Sequence, residues 1–453
     1  MKRTLTEFAA RMGGTLAGAD RPFAAVSTDS RTLAAGELFV ALDGPNFDGH
    51  DFVAAAAERG AAAAVVARPV AARLPQIVVD APLLALQRVA AAWRAQYSIP
   101  VVAVAGSNGK TTTKELIAGI LAQRGACCAT RGNLNNHIGV PLTLLSLDAH
   151  HTSAVVEIGA NRAGEVAGLV QLVRPSVGIV TNAGAEHLEG FGDIDGVAHA
   201  EGELFAGLAG DATAVINGDD VYAALWLGMT RAARRLVFGF APGADFRGSA
   251  LIQRLQGGEL EQQFELASPF GAFTVRLALA GRHNVVNALG AAAAAHAAGA
   301  NRDEIAAGLA TARAVRGRLQ LRRGRAGAQL LDDSYNANPH SLSAGLVLLG
   351  SFAGERWLVL GEMAELGTHT AAAHAAAGRE ARAAGVTRLF ALGEPTSAAV
   401  EAFGAGAEWF PDAAALAARV GTLLSAGVTV LIKGSRRNRL ERVVEALLPP
   451  AAG

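Results

Sequence analysis

Residues 100–125, PVVAVAGSNGKTTTKELIAGILAQRG, decide the fold of this chain. An apolar run at 101–104 leads through a glycine-rich turn into Lys110 and Thr111, and apolar residues at helical spacing follow. This order predicts a strand, a phosphate-binding loop and a helix, because glycines let backbone N–H groups converge on an anion and the helix adds its positive N-terminal end. Lys110 would supply a charge for the outer phosphates, and the Thr111 hydroxyl is placed to ligate Mg²⁺. The loop is shorter than a standard Walker A motif, since Val104 stands where that motif has its first glycine.

The composition restricts the class of protein. With 453 residues the chain is long enough for about three domains. Its 40 Lys and Arg residues balance its 40 Asp and Glu residues, so no net charge favours nucleic acid or an anionic membrane surface. The two cysteines, Cys127 and Cys128, are adjacent, which excludes a disulfide framework and indicates a reducing compartment. We read no signal peptide, and the alanine-rich stretches are too short and interrupted to span a bilayer. A soluble, cytoplasmic protein is therefore expected.

Strands and helices alternate along the chain in three segments, which predicts an α/β fold with three domains. Residues 1–82 form a small N-terminal α/β domain, residues 83–315 a central P-loop domain with a mostly parallel sheet, and residues 316–453 a third α/β unit. The predicted strands lie at residues 38–42, 63–66, 77–79, 101–104, 154–156, 177–180, 214–216, 236–238, 273–275, 330–331, 357–360, 389–392 and 428–432, and the predicted helices include 83–96, 116–121 and 195–205.

Polar residues follow the strands of the central segment, where ligands of doubly wound sheets bind. Glu157 follows the run at 154–156, and His187 follows the run at 177–180. Together with Thr111 they predict a Mg²⁺ site, because Mg²⁺ takes few protein ligands alongside substrate phosphates. Taken singly, each residue is better explained by a structural role: Glu157 as a carboxylate at a helix N-terminus and His187 as a polar turn residue. No cysteine and histidine pattern typical of zinc is present.

Other polar clusters leave two readings open. Residues 27–31 and 48–52 would hold a nucleotide, or they form a capped turn and a solvated loop. The amides at 281–287 either cap a helix or read a base edge. In the third unit, strand ends at 332–339, 361–367 and 433–436 mark a binding edge, which suggests a domain that closes over the central site.

Over essentially the whole chain these motifs resemble the Mur ligase family, and in particular its MurF branch. The family-wide motifs are GSNGKTT at 106–112, Glu157, His187 and the amides of the 283–287 segment. The motifs that look like the MurF branch are NLNN at 133–136 with GVP at 139–141, EIGAN at 157–161, DDSYNANP at 332–339, and GEMAELG at 361–367 with His374.

The resemblance implies an ATP-dependent amide-bond ligase that uses Mg²⁺ and forms ADP. Such an enzyme joins D-Ala-D-Ala to UDP-N-acetylmuramoyl-tripeptide through an acyl phosphate, in the last cytoplasmic step that makes the UDP-MurNAc-pentapeptide precursor of peptidoglycan. The first domain would bind the UDP-sugar, the central domain ATP, and the third, Rossmann-like domain D-Ala-D-Ala. A monomer without nucleic-acid binding or membrane insertion is expected.

The same resemblance implies roles for individual residues. Those expected to act in catalysis are Lys110, His187, Glu157 and Arg318, with Arg318 near the γ-phosphate. Those expected to hold ATP are Gly106, Ser107, Asn108, Gly109, Lys110, Thr111 and Thr112 at the phosphates, Asn287 with His283 or Asn284 near adenine, and Asp333 near the ribose. Thr111 and Glu157 are expected to bind one Mg²⁺ and His187 a second. Ser30 and Arg31 are expected to contact the UDP-sugar, and Asn135, Asn136 and Arg162 the acyl substrate.

One position departs from the family pattern. Many members place a lysine, carbamylated on its nitrogen, a few residues before a Leu/Ile-Phe pair, where it bridges the metals. With Leu204 and Phe205 as the pair, this chain has Glu201 in that position. The hypothesis is that Glu201 supplies a carboxylate directly, although its shorter arm needs a shifted helix or an intervening water. The alternative is a residue of the solvated helix face.

Two rival functions are open to test. A sister ligase would add a diamino acid to a UDP-muramoyl dipeptide or glutamate to a folate, and the DDSYNANP run argues against both. A phosphate-loop switch would bind nucleotide without ligation, but it leaves the polar edges of two further domains unexplained. The sequence does not choose between His187 and a central carboxylate as the base, nor between diaminopimelate and lysine in the tripeptide.

Overall fold

The structure is a computed structural model, which describes residues 3–44, 46–185, 188–256 and 259–450. The N-terminal elements are α1 (Leu5–Met12), β1 (Thr15–Ala17), β2 (Val26–Ser27), β3 (Leu38–Val40), β4 (Asp43–Gly44), β5 (Phe47–Asp48), α2 (Val53–Glu58), β6 (Ala63–Val66), β7 (Gln76–Val78) and α3 (Pro82–Arg94). The main sheet has the order β1-β7-β6-β3-β2, and all its pairs are parallel except β1 with β7. Helix α3 packs against α1 on one side and against the central domain on the other.

The central elements surround the phosphate loop. They are β8 (Val101–Ala105), α4 (Lys110–Leu121), β9 (Ala126–Ala129), α5 (Gly139–Leu145), β10 (His151–Glu157), α6 (Glu165–Val173), β11 (Val177–Val180), α7 (Leu188–Phe191), α8 (Ile194–Ala206), β12 (Thr213–Asn217), α9 (Ala223–Met229), β13 (Arg234–Gly239), β14 (Phe246–Gln256), β15 (Glu259–Ser268), β16 (Gly271–Leu277), α10 (Arg282–Ala297) and α11 (Arg302–Ala310).

Strand β8 lies in the middle of the parallel part of this sheet. The strand order is β16-β15-β14-β13-β12-β11-β8-β10-β9, and only the β14–β15 and β15–β16 pairs are antiparallel. Every residue of β8 is fully buried, with Val101 and Ala103 facing one apolar cluster and Val102 and Val104 the other. Burial on both faces explains the continuous apolar run that the sequence shows there. Because β10 and β11 flank β8, their carboxyl ends meet beside the phosphate loop.

The C-terminal elements form a second parallel sheet with helices on both faces. They are β17 (Gln320–Arg323), β18 (Gln329–Asp333), α12 (Pro339–Gly350), β19 (Glu355–Gly361), α13 (Thr370–Ala383), β20 (Arg388–Leu392), α14 (Ser397–Phe403), β21 (Ala407–Phe410), α15 (Ala413–Leu423), β22 (Val428–Lys433) and α16 (Glu441–Leu447). The order is β17-β18-β22-β19-β20-β21, with β17 antiparallel to β18. Apolar clusters fill both sides of this sheet, as in Rossmann-like folds.

The predicted α/β class, with its mostly parallel central sheet, is confirmed. Nine strands in the part of the chain that the structure describes were not predicted from the sequence, either because they are only two to four residues long or because polar residues interrupt them. They are β1, β2, β4, β5, β9, β14, β15, β17 and β21. Strands β14 and β15 read FRGSALIQRLQ and ELEQQFELAS, in which glutamine, arginine and glutamate interrupt the pattern. The alanine-rich helix α10 is packed inside the central domain, where residues 291–295 are fully buried. No helix in the described ranges is long and apolar enough to cross a membrane.

Candidate active site

The phosphate loop connects β8 to α4 and needs glycine at both ends. Gly106 has φ +119° and Gly109 has φ +82°, in the left-handed region that side chains rarely adopt. A Cβ at Gly106 would overlap the Thr181 hydroxyl and lie 2.7 Å from the Thr181 backbone nitrogen. A Cβ at Gly109 would lie 2.5 Å from Asn287 Oδ1. The two glycines therefore permit a tight turn and its close contact with β11 and α10.

The first three N–H groups of the loop are bound by the protein itself. Gly106 N–H donates to Glu201 Oε2 (2.7 Å). Ser107 N–H donates to the Asn182 carbonyl (2.9 Å), and Asn108 N–H donates to Asn182 Oδ1 (3.0 Å). The backbone donors that face an anion are thus those at the start of α4, whose first-turn N–H groups have no intrahelical acceptor. The sequence predicts that successive N–H groups of the loop converge on an anion, and the first three of them are not available for that role.

Lys110 lies over the loop. Its ammonium donates to the carbonyls of Gly106 and Ser107, the latter at 3.0 Å. The side chain is half-buried and lines the main cavity, so the ammonium can turn from these carbonyls to an anion in the cavity.

Glu157, at the end of β10, offers an oxygen donor to the cavity. Its side chain is buried, and Oε1 accepts a hydrogen bond from Asn135 Nδ2 (2.8 Å). Its Oε2 has no hydrogen-bond partner among the described residues. A buried carboxylate oxygen without a donor, in the same cavity as the Thr111 hydroxyl, fits a hard divalent cation such as Mg²⁺. His187, the third residue predicted to bind metal, lies outside the described residues.

Glu201 reaches the loop from α8. It is buried, and the oxygen that accepts from Gly106 N–H places its carboxylate against the first residue of the loop. Neither Glu201 nor Gly106 is among the residues that line the cavity. The reading of Glu201 as a solvated surface residue is therefore wrong, and its role as a metal ligand stays a prediction.

The C-terminal domain covers the loop from the other side. Arg318 donates from NH2 to the Thr111 hydroxyl (3.1 Å), and its guanidinium lies 4.4 Å from the centre of the Tyr335 ring. Asn338 Nδ2 donates to Asn108 Oδ1 (2.9 Å), while its own Oδ1 caps α12. Arg318, which is expected near the γ-phosphate, therefore lies in contact with Thr111, which is expected to bind Mg²⁺.

A second buried cluster joins α10 to the ends of β18 and β22. Lys433 Nζ donates to Asp333 Oδ2 (2.5 Å) and to the Asn336 carbonyl (3.0 Å). His283, which is half-buried at the cavity, lies close to this pair. Burial lowers the pKa of His283 to about 4; Asp333 raises the pKa by a smaller amount, and Lys433 lowers it further. Asn284 and Asn287 are bonded to each other (3.1 Å). The cluster places all four residues predicted for adenine and ribose on one wall of the cavity.

The low pKa of His283 predicts a loss of stability in mild acid. The folded protein keeps the ring neutral down to about pH 4, whereas the unfolded chain binds a proton near its ordinary pKa of 6.5. Between these values the unfolded state holds more protons, so the free energy of unfolding falls as the pH drops, by up to about 1.4 kcal/mol per pH unit. Burial also lowers the pKa of His374, so this residue further reduces the free energy of unfolding as the pH drops.

Urea unfolding at pH 7, 6 and 5 checks this expectation. His283→Gln should flatten the dependence, while His150→Gln, at an exposed histidine, should keep the wild-type slope. Equal slopes for wild-type protein and His283→Gln would contradict it.

A cavity of about 1510 Å³ opens between the central and C-terminal domains. It collects most of the predicted site residues, which are Ser107, Asn108, Gly109, Lys110, Thr111, Thr112, Asn135, Asn136, Glu157, His283, Asn284, Asn287, Arg318 and Asp333. The side-chain oxygen of Asn136 accepts hydrogen bonds from the N–H groups of Ile138 (3.1 Å) and Gly139 (2.9 Å), at the start of α5. Ser30, Arg31 and Arg162 do not line this cavity.

The N-terminal candidates form a separate polar region. Arg31 binds both carboxylate oxygens of Asp29, at 2.9 and 2.7 Å, and these bonds lower the pKa of Asp29 to about 2. Asp43, Asp48 and His50 are close enough together to hold a metal ion. However, His50 Nε2 accepts the Ala67 N–H (2.8 Å), so Nδ1 carries the proton that Asp48 accepts (2.6 Å). Neither ring nitrogen has a lone pair left for a metal.

Several residues at the site were not assigned individual roles from the sequence, although segments 332–339 and 433–436 were expected to form a binding edge. Asn182 and Thr181 brace the loop, with the Thr181 hydroxyl donating to the Asn108 carbonyl (2.6 Å). Tyr335, Asn338 and Lys433 supply the C-terminal wall. Thr181 and Asn182 directly follow β11, Lys433 is the last residue of β22, and Tyr335 and Asn338 lie in the segment between β18 and α12. Their positions beyond strand ends were the available signal.

Comparison with known proteins agrees with this geometry. Models described as "Mur ligase family, catalytic domain", "Mur ligase middle domain" and "Mur ligase, glutamate ligase domain" match residues 22–94, 104–295 and 317–436. The UDP-N-acetylmuramoyl-tripeptide--D-alanyl-D-alanine ligase of Escherichia coli K12 is 44% identical over 449 residues, 98% of each chain. The ligase of the same name from Bacillus subtilis is 33% identical over 99% of each chain.

Solved structures match over similar lengths. A crystal structure of MurF from Acinetobacter baumannii has a TM-score of 0.91 at 33% identity and covers 98% of each chain. MurF ligase from Thermotoga maritima, solved in complex with ADP, has a TM-score of 0.82 at 28% identity, over 93% of this chain and 96% of that one. The chain therefore belongs to the Mur ligase family, in its MurF branch.

Proposed function

We propose that this chain joins D-Ala-D-Ala to UDP-N-acetylmuramoyl-tripeptide, with ATP as the energy source and Mg²⁺ as the metal, and so makes the UDP-MurNAc-pentapeptide precursor of peptidoglycan. The reaction takes place in the cytoplasm, on a monomer. Residues 1–82 bind the UDP-sugar, residues 83–315 bind ATP, and residues 316–453 bind D-Ala-D-Ala. The names of the full-length relatives support the substrates, and the ADP bound to the T. maritima enzyme supports the nucleotide.

One observation carries the proposal most directly. The Glu157 Oε2 atom, which no described residue hydrogen-bonds, shares one cavity with the Thr111 hydroxyl, the Lys110 ammonium and the positive end of α4. Two oxygen donors for a cation beside a lysine and a helix N-terminus suit a metal-bound triphosphate. The cavity also opens toward Asn135, which leaves room for an acyl substrate beside the phosphates.

The chain's residues then serve an acyl-phosphate reaction. The tripeptide carboxylate attacks the γ-phosphate and displaces ADP, which gives an acyl phosphate. The ammonium of D-Ala-D-Ala gives up a proton to a base, and the neutral amine attacks the acyl carbonyl, loses a second proton and expels inorganic phosphate. Both partners of the first step are anions, so Lys110 and Arg318 neutralise charge that builds up between them. Mg²⁺, held by Thr111 and Glu157, would neutralise further phosphate charge. The contacts of Arg318 and Asn338 with the loop hold the C-terminal domain over the site, which keeps water from the acyl phosphate.

The hypothesis that Glu201 acts as a metal ligand predicts a result that loop anchoring alone does not. Glutamine retains an oxygen that can accept the Gly106 N–H but lacks the carboxylate charge that a metal needs. If Glu201 binds metal, Glu201→Gln should raise the Mg²⁺ concentration for half-maximal turnover by about tenfold or more. Activity should also be independent of bicarbonate. An unchanged Mg²⁺ requirement in this variant would leave Glu201 with its structural role at the loop.

The function itself is tested by product mass. The enzyme is supplied with ATP, Mg²⁺, D-Ala-D-Ala and, in turn, UDP-muramoyl dipeptide, the diaminopimelate tripeptide and the lysine tripeptide. A pentapeptide product from one or both tripeptides, with one ADP per bond, is the expected result. Extension of the dipeptide by a diamino acid would identify a sister ligase, and nucleotide binding without any acyl product would identify a switch.

A further inference from the structure

Lysine is rare in this chain and concentrated at the candidate site. The chain has four lysines, Lys2, Lys110, Lys114 and Lys433, against 36 arginines. Lys110 and Lys433 line the main cavity, and Lys114 lies one helical turn behind Thr111 on α4. An ammonium is a compact charge with three donors, whereas a guanidinium is wide and planar, so the two do not fit the same buried space. The mechanism proposed above gives Lys114 no role.

Lys114 is completely buried, with a side-chain exposure of 0%. Its ammonium donates to the Thr130 carbonyl at 2.7 Å and lies 2.8 Å from Glu115 Oε1, on a glutamate that is itself 51% exposed. Removing an ammonium from water is unfavourable unless it is paired and hydrogen-bonded. A charge placed here therefore has to contribute something that an apolar side chain of similar length would not.

Thr130 connects this ammonium to Glu157. Its N–H donates to the Val155 carbonyl (3.0 Å), its carbonyl accepts from Lys114, and its hydroxyl accepts the backbone N–H of Glu157 (3.0 Å). Thr130 is buried, so all three bonds are shielded from water. The chain of contacts runs from the helix that carries Thr111 to the strand end that carries Glu157.

We propose that Lys114 is a positioning residue that fixes the Glu157 carboxylate relative to the Thr111 hydroxyl, and so sets the affinity of the site for a divalent cation. The inference rests on the proposed function, since it takes these two side chains as cation ligands. Without the ammonium, the Thr130 carbonyl loses its donor, and the strand end is free to shift relative to α4. Groups that support metal ligands in this way typically change metal affinity by about 10- to 100-fold when they are removed.

Titration of the full-length protein with Mg²⁺ in the presence of ADP tests this role. Lys114→Met, which keeps the length of the side chain, is expected to raise the Mg²⁺ midpoint by about 10- to 100-fold. Its affinity for ADP without metal should stay within about twofold, because the Lys110 ammonium and the α4 N-terminus are unchanged. Glu115→Gln removes only the exposed partner of Lys114, and its Mg²⁺ midpoint should match that of the wild-type protein.

A metal-free measurement and a second pair of variants complete the test. Amide hydrogen exchange in the peptide containing Glu157 should be faster in Lys114→Met than in Glu115→Gln. If Lys114→Met does not fold, Thr130→Val serves in its place, because it lacks the hydroxyl that accepts the Glu157 N–H. Thr130→Val should raise the Mg²⁺ midpoint, whereas Thr130→Ser, which keeps a hydroxyl, should have the wild-type midpoint. A Mg²⁺ midpoint unchanged in these variants would overturn this inference alone. If Mg²⁺ does not change the affinity of the wild-type protein for ADP, the proposed metal role is overturned as well.

Discussion

Lys110→Ala is expected to lower kcat by about 10²- to 10³-fold while the protein remains folded. The ammonium faces the cavity, and its charge is needed most when the carboxylate and the γ-phosphate approach each other. The variant also loses the hydrogen bonds to the Gly106 and Ser107 carbonyls, which should reduce the free energy of unfolding by about 1–3 kcal/mol. Initial rates of pentapeptide formation, with circular dichroism as the check on folding, measure both effects.

Two further variants control for charge and shape. Lys110→Arg should recover little activity, because a planar guanidinium does not fill the place of an ammonium over the loop. Arg323→Ala removes an exposed cation at the end of β17, whose other residues are half-buried, and should leave the rate near that of the wild-type enzyme. If Lys110→Ala retains activity within about tenfold of wild type, the charge of Lys110 is not what stabilises the transition state.

Gly106→Ala should abolish nucleotide binding and destabilise the protein by about 2–5 kcal/mol. The backbone has φ +119°, and the added methyl group would meet the Thr181 backbone 2.7 Å away, so strain and overlap act together. Relief of the overlap would have to move the loop away from β11, which also breaks the bonds to Asn182. Calorimetric titration with ADP and thermal unfolding report the two consequences separately.

Gly243→Ala separates backbone strain from loss of space. Gly243 has φ +90°, and a Cβ there would meet no atom within 4 Å. Its substitution should destabilise by about 1–2 kcal/mol and leave ADP binding unchanged. Equal losses in the two variants would show that strain alone, without the contact to β11, accounts for the effect at Gly106.

Much of the architecture was predictable because the parallel strands are buried on both faces. Short, continuous apolar runs such as 101–104 and 428–432 are typical of central strands of a parallel sheet. Strands β14 and β15 were not predicted because most of their length pairs in an antiparallel ribbon with each other and with β16, and only the first residues of β14 pair with β13. Pairing of this kind needs no apolar run. Their existence depends on tertiary context that local sequence does not carry.

The site was predictable by residue type and less so by geometry. The order of Gly, Lys and Thr indicated a phosphate loop, and strand ends indicated Glu157 and Asp333. Which loop N–H groups are already bonded depends on Asn182 and Glu201, which lie 74 or more residues away in the chain. Similarly, the low pKa of His283 results from burial beside Asp333 and Lys433, which are distant in the sequence, and no local pattern reveals it.

The bonds from Gly106, Ser107 and Asn108 to the protein have a thermodynamic consequence for ligand binding. A loop that is tied down at three successive amides, and again at the Asn108 carbonyl, has little conformational freedom left to lose when a nucleotide arrives. Association at this end of the ligand should therefore be rapid and incur only a small entropic penalty. Any slow ordering step that accompanies the reaction is therefore expected in parts of the molecule other than this loop.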